Sequence, residues 1–314
     1  MSISSLEHLS LLRSTATAAM ERVMNGAPNA ETTKETNKDD SRLLLKRSSF
    51  PPDFVFGAAT SAYQIEGAYD EGGRKPSIWD TFCHVHPGMI PIPLTVSLVI
   101  SYVLNLYGDV KMLKDMGANV YRFSISWARI LPDGRGNTNP EGIAYYNMLI
   151  DDLIANGIKP FVTIFHWDVP QALEDDYRGF LDRRIVDDFR YYSQVCFEAF
   201  GDRVKHWITI NEPSTFAHRG YDEGNNAPGR SSNRSRCAAG DSATEPYIVA
   251  HNALLAHARS VKLYRQKYQE KQQGEIGLSL MAFWKVPYST SLRDIQASMR
   301  ALDFQYGWQD LQNI

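Results

Sequence analysis

A carboxyl group, two amides and an imidazole stand where short apolar runs of this chain break off. Asn211-Glu212-Pro213 closes the run His206-Trp207-Ile208-Thr209-Ile210, His166 follows Pro160-Phe161-Val162-Thr163-Ile164-Phe165, and Gln64 follows Phe54-Val55-Phe56-Gly57-Ala58 by a few residues. Amide side chains and an imidazole offer both donors and acceptors, which suits a ring of neighbouring hydroxyls that also do both. A carboxyl group beside them can give or take a proton. The set fits a sugar-like ligand. Trp167, Trp79 and Trp127 offer flat apolar faces to a pyranose ring, the alternative for each being plain core packing. Glu212 precedes a proline, whose ring disfavours the α region for its neighbour, so its side chain is expected at an extended strand end.

These groups need elements to hold them. From Phe50 onward short apolar strands alternate with helical patterns, which favours a parallel sheet over hairpins. The strands are predicted at 54–58, 120–125, 160–165, 206–211 and 275–281. Between the second and third, Ile143, Tyr146, Leu149, Ile150 and Leu153 recur at helical spacing, and Asn156-Gly157 supplies the stop. Ile185, Phe189, Tyr192, Val195, Cys196 and Ala199 predict a helix before the fourth strand, ending at Gly201. Ile248, Asn252, Leu255, His257, Val261 and Tyr264 predict another before the fifth. The count is about five strand-helix units, where a closed (β/α)8 barrel takes eight. An open doubly wound sheet, satisfied by five or six strands, is the alternative, although no glycine-rich phosphate turn follows the first strand. In both architectures the working groups gather at strand ends, which is where Gln64, His166, Asn211 and Glu212 fall.

Composition narrows the function classes. The 314 residues are 43% hydrophobic and 22% charged with a net charge of -3, a globular balance with no basic field or Lys/Arg block for nucleic acid. Cys83, Cys196 and Cys237 are far apart and show neither metal-ligand spacing nor a disulfide framework, and no carboxylate or histidine cluster has ligand spacing for a metal. Residues 1–47, rich in Ser, Thr, Ala, Asn and charge, read as a disordered leader. They lack the apolar core of a secretory signal, which favours a cytoplasmic or plastid location over export. The uncharged stretch from Leu94 to Tyr107 is about 14 residues, short of the roughly 20 that span a bilayer. Asn233-Arg234-Ser235 is a glycosylation sequon, usable in the secretory route.

Taken together, the motifs resemble family 1 glycoside hydrolases, particularly plant β-glucosidases. The resemblance rests on Phe54-Val55-Phe56-Gly57-Ala58-Ala59-Thr60-Ser61-Ala62-Tyr63-Gln64-Ile65-Glu66-Gly67, Pro76-Ser77-Ile78-Trp79-Asp80-Thr81-Phe82, Tyr121-Arg122-Phe123-Ser124-Ile125-Ser126-Trp127, Phe165-His166-Trp167-Asp168-Val169-Pro170, Thr209-Ile210-Asn211-Glu212-Pro213 and Glu245-Pro246-Tyr247. It covers residues 50–88 and about 108–308. It implies an α/β fold of the (β/α)8 TIM-barrel type, a partial barrel over 48–308, no cofactor and an O-β-glucoside as substrate. By the same resemblance Glu212 is the general acid/base, Gln64, His166 and Asn211 hold the sugar hydroxyls, and Arg122 is a supporting residue beside the nucleophile.

The sequence departs from that family in three places. Retaining hydrolysis uses two carboxyl groups about 5–5.5 Å apart, and the family's nucleophile, in a Thr/Ser-Glu-Asn-Gly motif, has no counterpart here. Glu66-Gly67 and Glu223-Gly224 belong to other parts of the pattern. Between Met89 and Gly108 an apolar stretch replaces the usual polar loop, as if inserted or substituted, and residues 309–314 diverge. Three outcomes are expected from this pattern: an impaired β-glucosidase, a non-catalytic module that self-associates or pairs with a full-length relative through an open sheet edge, or a chain that does not fold stably.

Overall fold

The computed structural model describes residues 46–86, 102–281 and 283–307. The chain divides into two compact units, Met1–Phe54 and Val55–Ile314. Among the described residues of the first, a 3-10 turn spans Arg47–Ser49, and the Phe50 and Phe54 rings meet at 4.6 Å. Most of the predicted leader, residues 89–101 of the apolar segment and the 309–314 tail lie outside the described residues.

In the second unit the elements run β1 (Gly57–Ala59), α1 (Ala62–Ile65), α2 (Ile78–Val85), α3 (Tyr102–Asp115), β2 (Val120–Ser124), α4 (Trp127–Ile130), α5 (Pro140–Ala155), β3 (Lys159–Phe165), α6 (Gln171–Tyr177), α7 (Ile185–Phe200), β4 (His206–Asn211), α8 (Pro213–His218), α9 (Glu245–Lys267), α10 (Gln269–Gln272), β5 (Glu275–Ser279) and α11 (Leu292–Leu302). The strands form one five-stranded sheet in the order β1-β2-β3-β4-β5, every neighbouring pair parallel. That order decides between the two predicted architectures. A doubly wound sheet reverses its strand order at a switch point, whereas here the order never reverses, which is the winding of a (β/α)8 barrel. The sheet is five strands of such a barrel.

The strand predictions hold in place and differ at their ends. β1 begins three residues later than 54–58 because Phe56 spends its backbone elsewhere: its carbonyl accepts from Asn119 N at 2.7 Å and its N–H donates to Asn119 Oδ1 at 3.3 Å. β5 stops at Ser279 rather than 281. Ser279 O accepts from Glu212 N at 2.8 Å, and Pro213, which has no N–H to donate, opens α8 immediately afterwards.

The crossover helices carry the core. Asn139 caps α5, accepting from Glu141 N at 3.2 Å, with Pro140 in the first turn and Gly157 at φ 75° after its end. Gly142 lets α5 approach closely, because a Cβ there would collide with the Arg129 carbonyl. Phe123, Tyr146 and Leu149 lie between sheet and α5; Phe189, Tyr192, Phe197 and Phe200 fill the space under α7, and Val249, Ala253 and Tyr264 of α9 join them. Trp127 is fully buried and stacks on Tyr192 at 4.8 Å with an interplanar angle of 5°. It is a core residue, which is the core-packing reading of the two left open for it: the chain turns from β2 straight into α4, and the indole drops under α7 with its N–H donated to the Gly134 carbonyl at 2.9 Å.

Candidate active site

Two faces of the sheet can be told apart by what their side chains touch. On β2, Phe123 stacks near Tyr146 of α5, so alternation places Arg122 on the opposite face. On β4, Trp207 packs against Phe197 of α7, and Thr209 Oγ1 lies 2.7 Å from His257 Nδ1 of α9. Strict alternation would turn Asn211 toward the helices as well. It points the other way. Ile208 pairs with Gly277 and Asn211 with Ser279, so three steps on β4 match two on β5. This bulge re-aims Asn211 into the face that holds Arg122.

There the side chains form a directed run. Arg122 Nε donates to Thr163 Oγ1 at 3.0 Å, and its NH2 group donates to Asn211 Oδ1 at 2.5 Å. A guanidinium can only donate, so the amide oxygen of Asn211 must face it and the amide nitrogen must face His166. Asn211 Nδ2 then donates to His166 Nε2 at 3.2 Å. Trp167 Nε1 donates to the Asn211 carbonyl at 2.7 Å, tying the ends of β3 and β4 together. Burial, helped by the Arg122 charge, lowers the His166 pKa to about 4. The imidazole is therefore neutral at pH 7, and with Nε2 accepting, its proton sits on Nδ1, which is buried without a protein partner. Burial also lowers the Arg122 pKa, and the Glu212 charge acts in the opposite sense.

Glu212 corrects the expectation of an extended conformation. Its φ and ψ are 43° and 61°, the left-handed region. The proline still disfavours right-handed α at this position, but the strand must turn directly into α8. Glu212 satisfies both neighbours at once: its N–H completes the ladder to Ser279 and its carbonyl accepts from Phe216 N at 3.0 Å. Left-handed backbone at a non-glycine residue costs on the order of 1–3 kcal/mol and clusters at functional positions.

Gln64 stands apart from this run. It is exposed on α1, and its Oε1 accepts from Ser61 N at 3.2 Å rather than bonding Arg122, Asn211 or His166. Trp167 is half-buried at the site, and Trp79 is half-buried against Tyr63 and Phe82. The glutamates before glycine elsewhere are already engaged. Glu66 Oε2 accepts from Arg129 Nε at 3.0 Å and its Oε1 accepts from Tyr146 OH at 2.7 Å. Glu223 Oε2 accepts from Asn225 Nδ2 at 2.7 Å.

Sequence reasoning missed Thr163, the Trp167 N–H and the bulge. Thr163 was visible only as a strand residue; its diagonal position to Arg122 follows from the β2–β3 register, in which Arg122 pairs with Phe161 and Ser124 with Thr163. Asp168 was also passed over. It is buried, and burial raises its pKa to about 7 against the opposing pull of the Arg74 charge and of backbone hydrogen bonds. Among the described residues no three His, Cys, Asp or Glu side chains converge to hold a metal, Cys83, Cys196 and Cys237 are free thiols, and no helix is long and apolar enough to cross a membrane.

A parallel barrel sheet with amide, imidazole, guanidinium and carboxyl groups at its strand ends defines the class: an α/β-barrel protein with a polar strand-end site. The sequence pattern of Glycosyl hydrolase family 1 matches residues 46–312, and the chain belongs to that family. It is 57% identical over 270 residues to the furostanol glycoside 26-O-β-glucosidase of Hellenia speciosa, covering 85% of this chain and 48% of that protein. It is 54% identical over 283 residues to β-glucosidase 24 of Oryza sativa subsp. japonica, covering 89% of this chain and 56% of that one. The crystal structure of a rice β-glucosidase, Os3BGlu6, superposes with a TM-score of 0.80 at 52% identity over 84% of this chain and 55% of its own. The chain spans about half the length of the curated relatives it matches.

Proposed function

We propose that these residues form the acid/base half of a retaining β-glucosidase site, with an O-β-glucoside as substrate. The observation that carries the reading is the run from Arg122 through Asn211 to His166, with Glu212 next along the chain at the same strand end. In the proposed roles, Glu212 protonates the leaving oxygen and later takes a proton from the attacking water. Asn211, His166 and Gln64 hold sugar hydroxyls, and Arg122 orients Asn211. Family membership and the β-glucosidase relatives support the substrate class; the aglycone stays open. No residue of the 314 is proposed as nucleophile, since none stands in a Thr/Ser-Glu-Asn-Gly motif; Glu66 is held by Arg129 and Tyr146 and Glu223 by Asn225. A polypeptide of these residues is therefore proposed to bind glucoside and to turn it over feebly or not at all, because the two-step route needs the second carboxylate.

The test measures binding and turnover separately. Titration with an aryl β-glucoside should show saturable binding that Asn211→Ala abolishes, and turnover should be close to buffer. Absence of saturable binding in the folded chain would reject the reading. Robust turnover that survives Glu212→Gln would reject the role given to Glu212.

A second reading, an interaction module, has its own observation. β5 pairs only with β4 among the described residues, and Leu280, Met281, Phe283 and Trp284 just beyond it are exposed. An open strand edge beside apolar side chains is a template for another chain. It predicts self-association or pairing with a full-length relative. Mixing the chain with such a relative and finding neither co-migration nor altered activity would remove it.

A further inference from the structure

We propose that Thr163 is a positioning residue for this site: its buried hydroxyl holds the Arg122 guanidinium in the orientation that sets the direction of the Arg122–Asn211–His166 run and fixes the tautomer of His166. The proposal rests on the sugar-site reading for its purpose but not for its test.

Thr163 lies in the middle of β3, fully buried, with Oγ1 3.0 Å from Arg122 Nε. Its backbone is occupied by the sheet, the carbonyl accepting from Ile125 N at 2.9 Å. The hydroxyl is the part left to act on a side chain. A guanidinium is a planar fork whose five N–H groups keep fixed angles. Holding Nε therefore constrains where the NH2 groups point, and one of them reaches Asn211 Oδ1. With the amide oxygen engaged, Asn211 presents only N–H to His166, and His166 Nε2 is compelled to accept.

Without the Thr163 anchor, the guanidinium is free to rotate about its long stem, and the amide of Asn211 can turn over. His166 Nε2 would then face an amide oxygen and carry the proton itself. A threonine two strand residues from the end of β3 thus decides which ring nitrogen offers a donor and which an acceptor. Swapping those roles changes which substrate hydroxyl contacts can form. The side chain of Thr163 touches no substrate; it acts through Arg122.

The experiment is nitrogen NMR of the full chain labelled at histidine, with the His166 ring assigned from Asn-independent loss of its signals in His166→Gln. The parent should show a neutral ring with the proton on Nδ1 at pH 7. Thr163→Ser, which keeps the hydroxyl, should leave that pattern unchanged. Thr163→Val, close in shape but without the hydroxyl, should give a mixture of tautomers or the Nε2–H form, while the distant His257 ring keeps its shifts as a check on folding. Should the valine chain fail to fold, Thr163→Ala carries the same expectation. An unchanged His166 pattern in a folded hydroxyl-free variant overturns the proposal, as does equal perturbation by serine. Glucoside titration of the same samples separates the two claims: a tautomer change without any glucoside binding keeps the positioning role and removes the sugar reading, while binding with an unmoved tautomer does the reverse.

Discussion

Arg122 on β2 reaches over β3 to donate a 2.5 Å hydrogen bond to Asn211 Oδ1 on β4. Strands two apart are separated by about 9.6 Å, twice the inter-strand spacing, a gap that arginine can bridge and lysine's single ammonium could not bridge while also engaging Thr163. The bond exists only because the β4 bulge turns Asn211 to that face.

Asn211→Asp keeps the shape and the acceptor for Arg122 but replaces the amide N–H facing His166 with a carboxylate. A negative charge in contact favours the imidazolium. The His166 pKa should rise from about 4 by at least roughly one unit, measured by NMR titration of the ring. No rise would mean that Asn211 does not face His166 in solution.

Glu66→Gln should destabilise the chain strongly. The Glu66–Arg129 pair is almost wholly buried, with side-chain exposures of 6% and 1%, and Tyr146 completes it. Removing one charge leaves the other uncompensated, a loss on the order of 3–5 kcal/mol, read from urea unfolding. A loss below about 1 kcal/mol would show the pair to be hydrated.

Trp127→Ala should cost about 3–5 kcal/mol while leaving glucoside affinity unchanged among molecules that remain folded. Its indole packs on Tyr192, Phe165 and Phe189 and donates its N–H to the Gly134 carbonyl. Weakened binding with intact stability would return it to the ligand site.

Two buried groups tilt stability with pH in opposite senses. Burial, then Arg265, lowers the His257 pKa from 6.5 to about 4; the unfolded chain takes up that proton first, so this contribution is full above 6.5 and is lost as pH falls to about 4. Burial raises the Asp168 pKa from 3.8 to about 7; the native state keeps its proton longer, so this contribution is present below 3.8 and is lost as pH rises to about 7. Each is on the order of 3–4 kcal/mol across its window. His257→Gln should reduce the acid loss, part of the remainder coming from His166, whose pKa burial also lowers to about 4, and Asp168→Asn should stabilise near pH 7 with an advantage that vanishes toward pH 4, both followed by chemical denaturation at stepped pH.

The helix over Ile143 to Leu153 and its Asn156-Gly157 stop, the strand at 206–211 and the strand-end placing of His166 and Asn211 were legible because they depend on local periodicity and capping, which a sequence displays directly. So was the family, which follows from residue types at fixed spacing. The left-handed Glu212, the burial of Trp127, the service of Thr163 and the turn of Asn211 away from the helices were not. Each depends on groups far apart in sequence: Glu212 on the partner strand's Ser279, Trp127 on Tyr192, Thr163 on Arg122, and Asn211 on one extra residue against β5. The sequence by itself named the chemical groups and the strands that bear them. Only the tertiary structure decided which way they point and which nitrogen of His166 holds the proton, because direction is set by the partner across the sheet and a partner's position is not written in either residue alone.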